Sequence, residues 1–391
     1  MNSRERILSA LKGQAVDRVP WCPFLAYWFE SQPEARQERG QISFFREIGA
    51  DALLRGLGCA FASSDVLGME EKNYNAHDDL PGCTITRRST GGRRLVEYDT
   101  PVGRLSTVQT YSPSGDTWFV TGHPVKEKED YKILRYIVER MKISPAYEAV
   151  DREIDELGLD GLSAPLISPF KKTPFQSLVE HFVGTEKLVY DLYDFPHIVE
   201  ETLAVMREKA LAAVKISVES RAEAFISWED SSTTNISPAL FERYVVPDIN
   251  GWGRVVHRAG KLLIHHACGH IRDLLPIMAL TEADAIESIT PPPTGNVGIG
   301  EARSLLGRTK ALIGGLDPVR FLRLQGNDLD AYVEETLDAA GERGFILANS
   351  DSCPPGVEEE KFSRITKLVG ARRGPRPAGA RRAAPADDSR N

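Results

Sequence analysis

Eight short apolar runs, each followed by a segment long enough for a helix, constrain this chain's fold more than any other feature. They are VPWCPFL (19–25), ADALLRG (50–56), GLSAPLI (161–167), AEAFISW (222–228), KLLIHHA (261–267), DAIESI (284–289), KALIGGL (310–316) and GFILANS (344–350). The runs are continuous rather than alternating, the pattern of parallel strands buried on both faces. Between them, stretches such as SPALFERYVVPDINGWGRVVHRAG carry helix signals, here a Ser237-Pro238 start and a Gly260 stop. Eight such units predict an α/β fold, a (βα)8 TIM-like barrel with its active site at the C-terminal ends of the strands. An open doubly wound sheet shares this pattern and stands as the alternative. Between the second and third runs, Gly91-Gly92 and Pro101-Val102-Gly103 punctuate three stretches rich in Thr, Val and Tyr. They predict an inserted antiparallel β meander over about residues 82–122.

A chain of 391 residues with 41% hydrophobic content is large enough for one barrel plus this insertion. The barrel is expected over residues 1–370. The tail, residues 371–391, is rich in Arg, Pro and Ala without a large apolar side chain, a composition that predicts disorder. That tail holds six Arg and two Asp, so the remainder of a chain with net charge −8 carries −12, which argues against nucleic acid as a partner. There is no run of 18 apolar residues and no signal-peptide core, so the expectation is a soluble cytoplasmic protein without membrane contact. Five cysteines, an odd number in a chain this long, fit a reducing compartment in which thiols remain available as ligands.

The fifth apolar run leads into His266-Ala267-Cys268-Gly269. Two positions apart at the end of one strand, His266 and Cys268 face the same way if the strand period persists, at the barrel's active face. Imidazole and thiolate are the donors zinc prefers, and a catalytic zinc takes three protein ligands and keeps one exchangeable position. The third candidate is Cys353 in GFILANSDSCPPGV, just past the last run and across the mouth from Cys268 in a closed barrel. The competing reading makes the cysteines buried thiols and the histidines ordinary loop residues. Cys22 has no such partner, and Cys59 and Cys83 are expected to be inert. Glu229 and Asp230 end the fourth run in FISWEDSS; they are candidates for a fourth ligand, an outer partner or catalytic carboxylates, with helix capping as the alternative. Asn349 and Asp351, beside Cys353, are of the same kind. Trp28 and Phe29 after the first run, and Trp118 and Phe119 after the insertion, are candidate walls of a substrate pocket, with core or lid packing as the alternative. His181 reads as a packed or surface histidine. No glycine-rich phosphate loop is present.

The segments RERILSALKGQAVDRVPWCPF, SWEDSSTTNISPALFERYVVPDI, GKLLIHHACGHIRDLLP, KALIGGLDP and SDSCPP together resemble the uroporphyrinogen decarboxylase superfamily, over about residues 3–370. Within it the chain is most similar to the zinc-dependent methyltransferases that work with corrinoid proteins. The resemblance implies a barrel, a zinc ion on His266, Cys268 and Cys353, a corrinoid protein as partner, and a homodimer as the common assembly. The decarboxylases proper carry an arginine motif of the type MRQAGR after the opening; here the corresponding VPWCPFLAYWFE has none, and a polycarboxylate substrate needs such cations. Asp65, in FASSDVLG, is the remaining candidate decarboxylase acid, and a turn role competes with it.

Two zinc-assisted reactions fit these ligands: activation of a substrate thiol toward a methyl-corrinoid, or polarisation of a methyl ether so that reduced cobalt removes the methyl group. The aromatic residues favour the second, with a methoxylated aromatic as donor. Decarboxylation of a carboxylated substrate is the alternative activity, and a non-enzymatic barrel that docks a corrinoid partner is the alternative from another class.

Overall fold

The computed structural model describes residues 1–68, 75–113, 117–341 and 343–372. The tail from residue 373 onward, expected to be disordered, lies outside the described residues. In chain order the strands are β1 (Ala52–Cys59), β2 (Phe61–Ser64), β3 (Ala76–His77), β4 (Thr84–Thr90), β5 (Arg93–Thr100), β6 (Gly103–Ser112), β7 (Thr117–Gly122), β8 (Ile143–Pro145), β9 (Gly161–Leu166), β10 (Ala224–Glu229), β11 (Leu262–Ala267), β12 (Ala285–Ile289), β13 (Ala311–Leu316) and β14 (Phe345–Asn349).

Seven of these form one parallel sheet in the order β1-β9-β10-β11-β12-β13-β14, curled into a barrel wall. Their sequences are almost wholly buried, as expected for strands covered on one side by helices and on the other by the barrel's own interior. The first apolar run, expected as an eighth strand, is reduced to a single parallel bridge, Trp21 against Leu347. Leu347 N–H donates to the Pro20 carbonyl and Cys22 N–H to the Leu347 carbonyl, both at 2.9 Å, while Asp51 N–H donates to the Trp21 carbonyl at 2.9 Å. These residues therefore span from the last strand toward the first. Pro20 and Pro23 offer no N–H to a ladder, which holds the pairing to this one register. The Asp51 carboxylate locks the join: it accepts from Arg6 and Arg18, each at 2.6 Å, and from Trp21 N–H at 3.1 Å.

The insertion is a four-stranded antiparallel sheet, β4-β5-β6-β7, with one strand more than its three punctuated stretches suggest. Val96, Tyr98 and Leu105 alternate onto one face and join the core that holds Ile133 and Leu134 of the helix Asp130–Arg140. The segment expected as one helix from Ser237 to Gly260 is three pieces: Pro238–Leu240, a π turn Phe241–Val245, and Val246–Arg258. Ser237 does cap its start, accepting from Leu240 N–H at 3.3 Å. Pro247 has no N–H for the Arg243 carbonyl and crowds it, and the wider π turn accommodates that break. A second π turn, Leu178–Phe182, follows β9. No helix among the described residues is long and apolar enough to cross a membrane.

Candidate active site

The strand ends of β1, β10, β11 and β12 set the geometry of the mouth. In β11 the alternation of side chains separates two adjacent histidines. His265 points to the helical layer and stacks on Phe241, with ring centroids 6.1 Å apart. His266 is paired in register with Trp228 on one side and Glu287 on the other. Its Nδ1 lies 3.0 Å from Glu287 Oε2, and the Glu287 carboxylate is held in turn by Arg55 of β1. Arg55 also donates to the Cys22 carbonyl at 2.7 Å and lies 4.8 Å over the Phe24 ring, whose edge approaches the His266 ring at 6.2 Å. All three polar side chains are buried, so each charge must be matched by its neighbour.

Cys268 stands one residue past the end of β11, where its N–H donates to the Glu229 carbonyl at 3.2 Å and its Sγ to the same oxygen at 3.5 Å. A side-chain hydrogen bond joins its thiol to His266. Burial opposes charge on the imidazole, but the hydrogen bonds with Cys268 and Glu287 outweigh it and lift His266 to about 10. Burial also pushes the Cys268 thiol up, against the favourable influence of His266. Without a metal the ring is therefore held as the imidazolium; a metal ion would have to displace its Nε2 proton, leaving Nδ1 on Glu287 in the arrangement by which a carboxylate orients a metal-binding histidine.

The structure thus brings together the two sequence-adjacent donors and places the third differently. Cys353 is fully buried among core residues, with its thiol pushed up by burial and the Lys361 ammonium acting against that shift. Its backbone N–H donates to the carbonyl of Phe24, the residue whose ring approaches His266, at 2.9 Å. Asn349 builds that connection, accepting from Phe24 N–H and donating to the Phe24 carbonyl, each at 2.9 Å, and to the Asp351 carbonyl at 2.8 Å. Among the described residues no three His, Cys, Asp or Glu side chains are gathered closely enough to hold one ion. In kind the donors fit zinc, an imidazole and two thiols; in place, two of the three stand together.

The other expected residues divide. Glu229 is buried and accepts from Thr173 N–H at 2.6 Å, Thr173 Oγ1 at 3.0 Å and Ser227 Oγ at 2.9 Å; burial raises it to about 7 in spite of these donors. Asp230 is raised by burial and accepts from Asn235 Nδ2 at 2.7 Å. Its charge and that of Asp351 both act on Cys268. Trp28 lies in the core against Phe44 and Phe362, its indole N–H on the Val357 carbonyl at 2.7 Å, and Phe29 is buried beside it. Trp118 is on β7, an outer strand of the meander, packed on Tyr111 and under Arg94, while Phe119 on the same strand is 56% exposed. Asp65 caps its own loop, accepting from Leu67 and Gly68 N–H, and pairs with Arg87 at 2.6 Å.

Sequence reasoning missed Arg55, Glu287 and Phe24. The signal for the first two was present: each is a charged residue inside an otherwise apolar barrel strand, ALLRG and AIESI, where a lone charge cannot remain unpaired.

A curled seven-stranded parallel sheet, with a buried histidine, thiol and carboxylate together on neighbouring strands, defines a TIM-like barrel with a candidate site at its mouth. Its sequence matches the family model of uroporphyrinogen decarboxylase (URO-D) over residues 111–372, and the chain belongs to that family. No curated protein sequence matches it. Among solved structures it is similar to a methyltransferase from Methanosarcina mazei, with 15% identity, coverage of 95% of this chain and 99% of the other, and a TM-score of 0.61. That likeness establishes the shared fold over nearly the whole length of both chains. A D-psicose 3-epimerase from Clostridium cellulolyticum H10 has 10% identity, 56% and 82% coverage and a TM-score of 0.33, too low to carry an argument.

Proposed function

We propose that this protein is a zinc-dependent methyltransferase that moves a methyl group from a small methylated substrate, in the first instance a methoxylated aromatic, to a corrinoid carried by a partner protein. The observation that carries this reading is the chain Arg55–Glu287–His266–Cys268 at the mouth of the barrel. It supplies an oriented imidazole beside a thiol, with behind the imidazole a carboxylate of the kind that orients a metal-binding histidine, itself neutralised by Arg55. On this reading His266 and Cys268 are two of the donors, and Cys353, which stands apart from them among core residues, would have to move toward them to serve as the third.

Zinc bound there would act as a Lewis acid on the ether oxygen of the donor. The chain's own part is to hold His266 as the Nε2 ligand through Glu287, to keep Glu287 charged through Arg55, and to present an aromatic surface, Phe24, beside the ring. The methyltransferase from Methanosarcina mazei, similar over almost the whole chain, agrees with this class of reaction. Decarboxylation of a polycarboxylate is less well supported. The segment VPWCPFLAYWFE has no arginine, and Arg55 at the mouth is committed to Glu287 and the Cys22 carbonyl.

The test is a methyl-transfer assay with chemically reduced cobalamin as acceptor, monitored by the appearance of methylcobalamin. Turnover of a methoxylated benzoate or phenol, abolished in His266→Ala, is the expected result. Carbon dioxide release from a carboxylated substrate without methyl transfer would replace this reading with the decarboxylase one.

A further inference from the structure

A lysine shares the mouth with Cys268, and its position is built. Lys172 lies in the turn between β9 and the helix Pro174–Ser177. Glu229, at the end of β10, ties that turn to the reactive pair: its carboxylate takes both the N–H and the hydroxyl of Thr173, and its carbonyl takes the N–H of Cys268. The residue after Lys172 and the candidate metal thiol are thus fastened to opposite sides of one residue. Ser168 Oγ holds the Lys172 carbonyl at 2.8 Å from the other direction. The Lys172 side chain is only 12% exposed, and its Nζ lies 2.8 Å from Glu180 Oε2. Cys268 and Glu229 both act on its charge, and it acts in turn on Glu229.

Glu180 belongs to the π turn Leu178–Phe182, an irregularity that frequently marks functional sites, and the carbonyl of the same residue is held by His123 Nε2 at 3.1 Å. The next residue, His181, is buried with neither ring nitrogen hydrogen-bonded to protein. A buried ammonium costs several kcal/mol of desolvation, about what one good ion pair returns, so the fold gains little stability from placing a lysine here. An ammonium has three N–H donors, and Glu180 is its one carboxylate partner among the described residues.

We propose that Lys172 is the proton donor to the leaving oxygen of the methyl donor; this rests on the methyl-transfer reading above. The methyl–oxygen bond breaks with its electron pair staying on oxygen. The methyl carbon is bonded by the electron pair of the reduced corrinoid cobalt, which is thereby oxidised by two electrons. The oxygen takes a proton from Lys172 Nζ, the phenol departs neutral, and water returns a proton to the amine, whose cationic form Glu180 favours. Burial opposes the charge on Lys172 and Glu180 more than offsets it, so the ammonium holds its proton more firmly than a free lysine and gives it up only to an oxygen that has gained the electron pair of the broken bond, as the phenoxide of a weakly acidic phenol has.

The full chain carrying Lys172→Met or Lys172→Arg is assayed with reduced cobalamin and a series of methoxyarenes whose phenols differ in acidity. Lys172→Met is expected to lower kcat roughly 100-fold for donors that release weakly acidic phenols, with KM unchanged, as loss of a general acid does. For nitro-substituted donors, whose phenoxides leave without protonation, the loss shrinks toward none. Lys172→Arg keeps the charge but not the transferable proton and leaves kcat low. An equal loss across the series, or a rise in KM alone, overturns the proposal and leaves Lys172 a binding or packing residue. If the wild type transfers methyl groups and Lys172→Met does so equally well, the proton-donor assignment falls while the methyltransferase reading stands; if the wild type transfers none, both fall.

Discussion

Glu287 carries two burdens, since its carboxylate orients His266 and neutralises Arg55 in a space closed to water. Removing it strands a buried guanidinium. Glu287→Ala is expected to cost about 3–5 kcal/mol of stability in denaturant unfolding, whereas the paired replacement Arg55→Met with Glu287→Met costs far less, because breaking a buried pair is worse than removing it. Equal losses in the two variants would mean that the pair matters for packing alone. His265 is the opposite case, buried and uncharged on Phe241, where desolvation holds it down at about 3 against an ordinary 6.5. Between those two values the unfolded chain binds a proton that the folded chain refuses. Stability from this residue is therefore present above pH 6.5 and is lost as pH falls toward 3, by about 1.4 kcal/mol per pH unit. His265→Phe removes that slope. The difference in Tm between variant and wild type is expected to move in the variant's favour from pH 7 to pH 5, and a constant difference would show that His265 is not held neutral.

Among the elements, the strands were legible from sequence because an apolar run bounded by helical segments has few other meanings. Seven of the eight runs are barrel strands, and the punctuated insertion is a meander; the first run fell short because its two prolines remove ladder donors. The π turns were not legible, since nothing in LVEHF or FERYV departs from helical periodicity. For the site, the His-x-Cys spacing was enough to place two donors together, because one strand end fixes both. Cys353 could not be placed in this way: it lies four residues past β14, on a loop whose direction is set by Asn349 and Phe24. β1 shows how an element and the mouth depend on each other. Gly56 has φ +65°, and a Cβ there would stand 2.5 Å from Trp228 Cζ2 on β10. Gly56→Ala is expected to destabilise the protein by about 1–3 kcal/mol through strain alone, and more if Trp228 must shift. Chemical denaturation measures this, and an unchanged midpoint would contradict the assigned packing.

At the scale of the whole molecule, function depends on a barrel that closes, because the candidate donors come from strand ends far apart in sequence. Closure is concentrated at Asp51, which gathers Arg6, Arg18 and Trp21 N–H beside the single bridge to Leu347. Asp51→Ala leaves two arginines without their buried partner, and a loss of about 3–5 kcal/mol in unfolding free energy is expected. A neutral outcome would mean that the helical layer alone holds the barrel shut. Metal content tests the central claim, a zinc centre built on His266 and Cys268, most directly. Zinc is to be determined by elemental analysis on wild type, Cys268→Ala and Cys353→Ala, each shown by circular dichroism to be folded. The expected result is about one zinc per wild-type chain, as for a single catalytic zinc site, with zinc lost in both variants. A folded wild-type protein that stays free of zinc after exposure to the metal, or retains it fully without Cys268, would contradict the account.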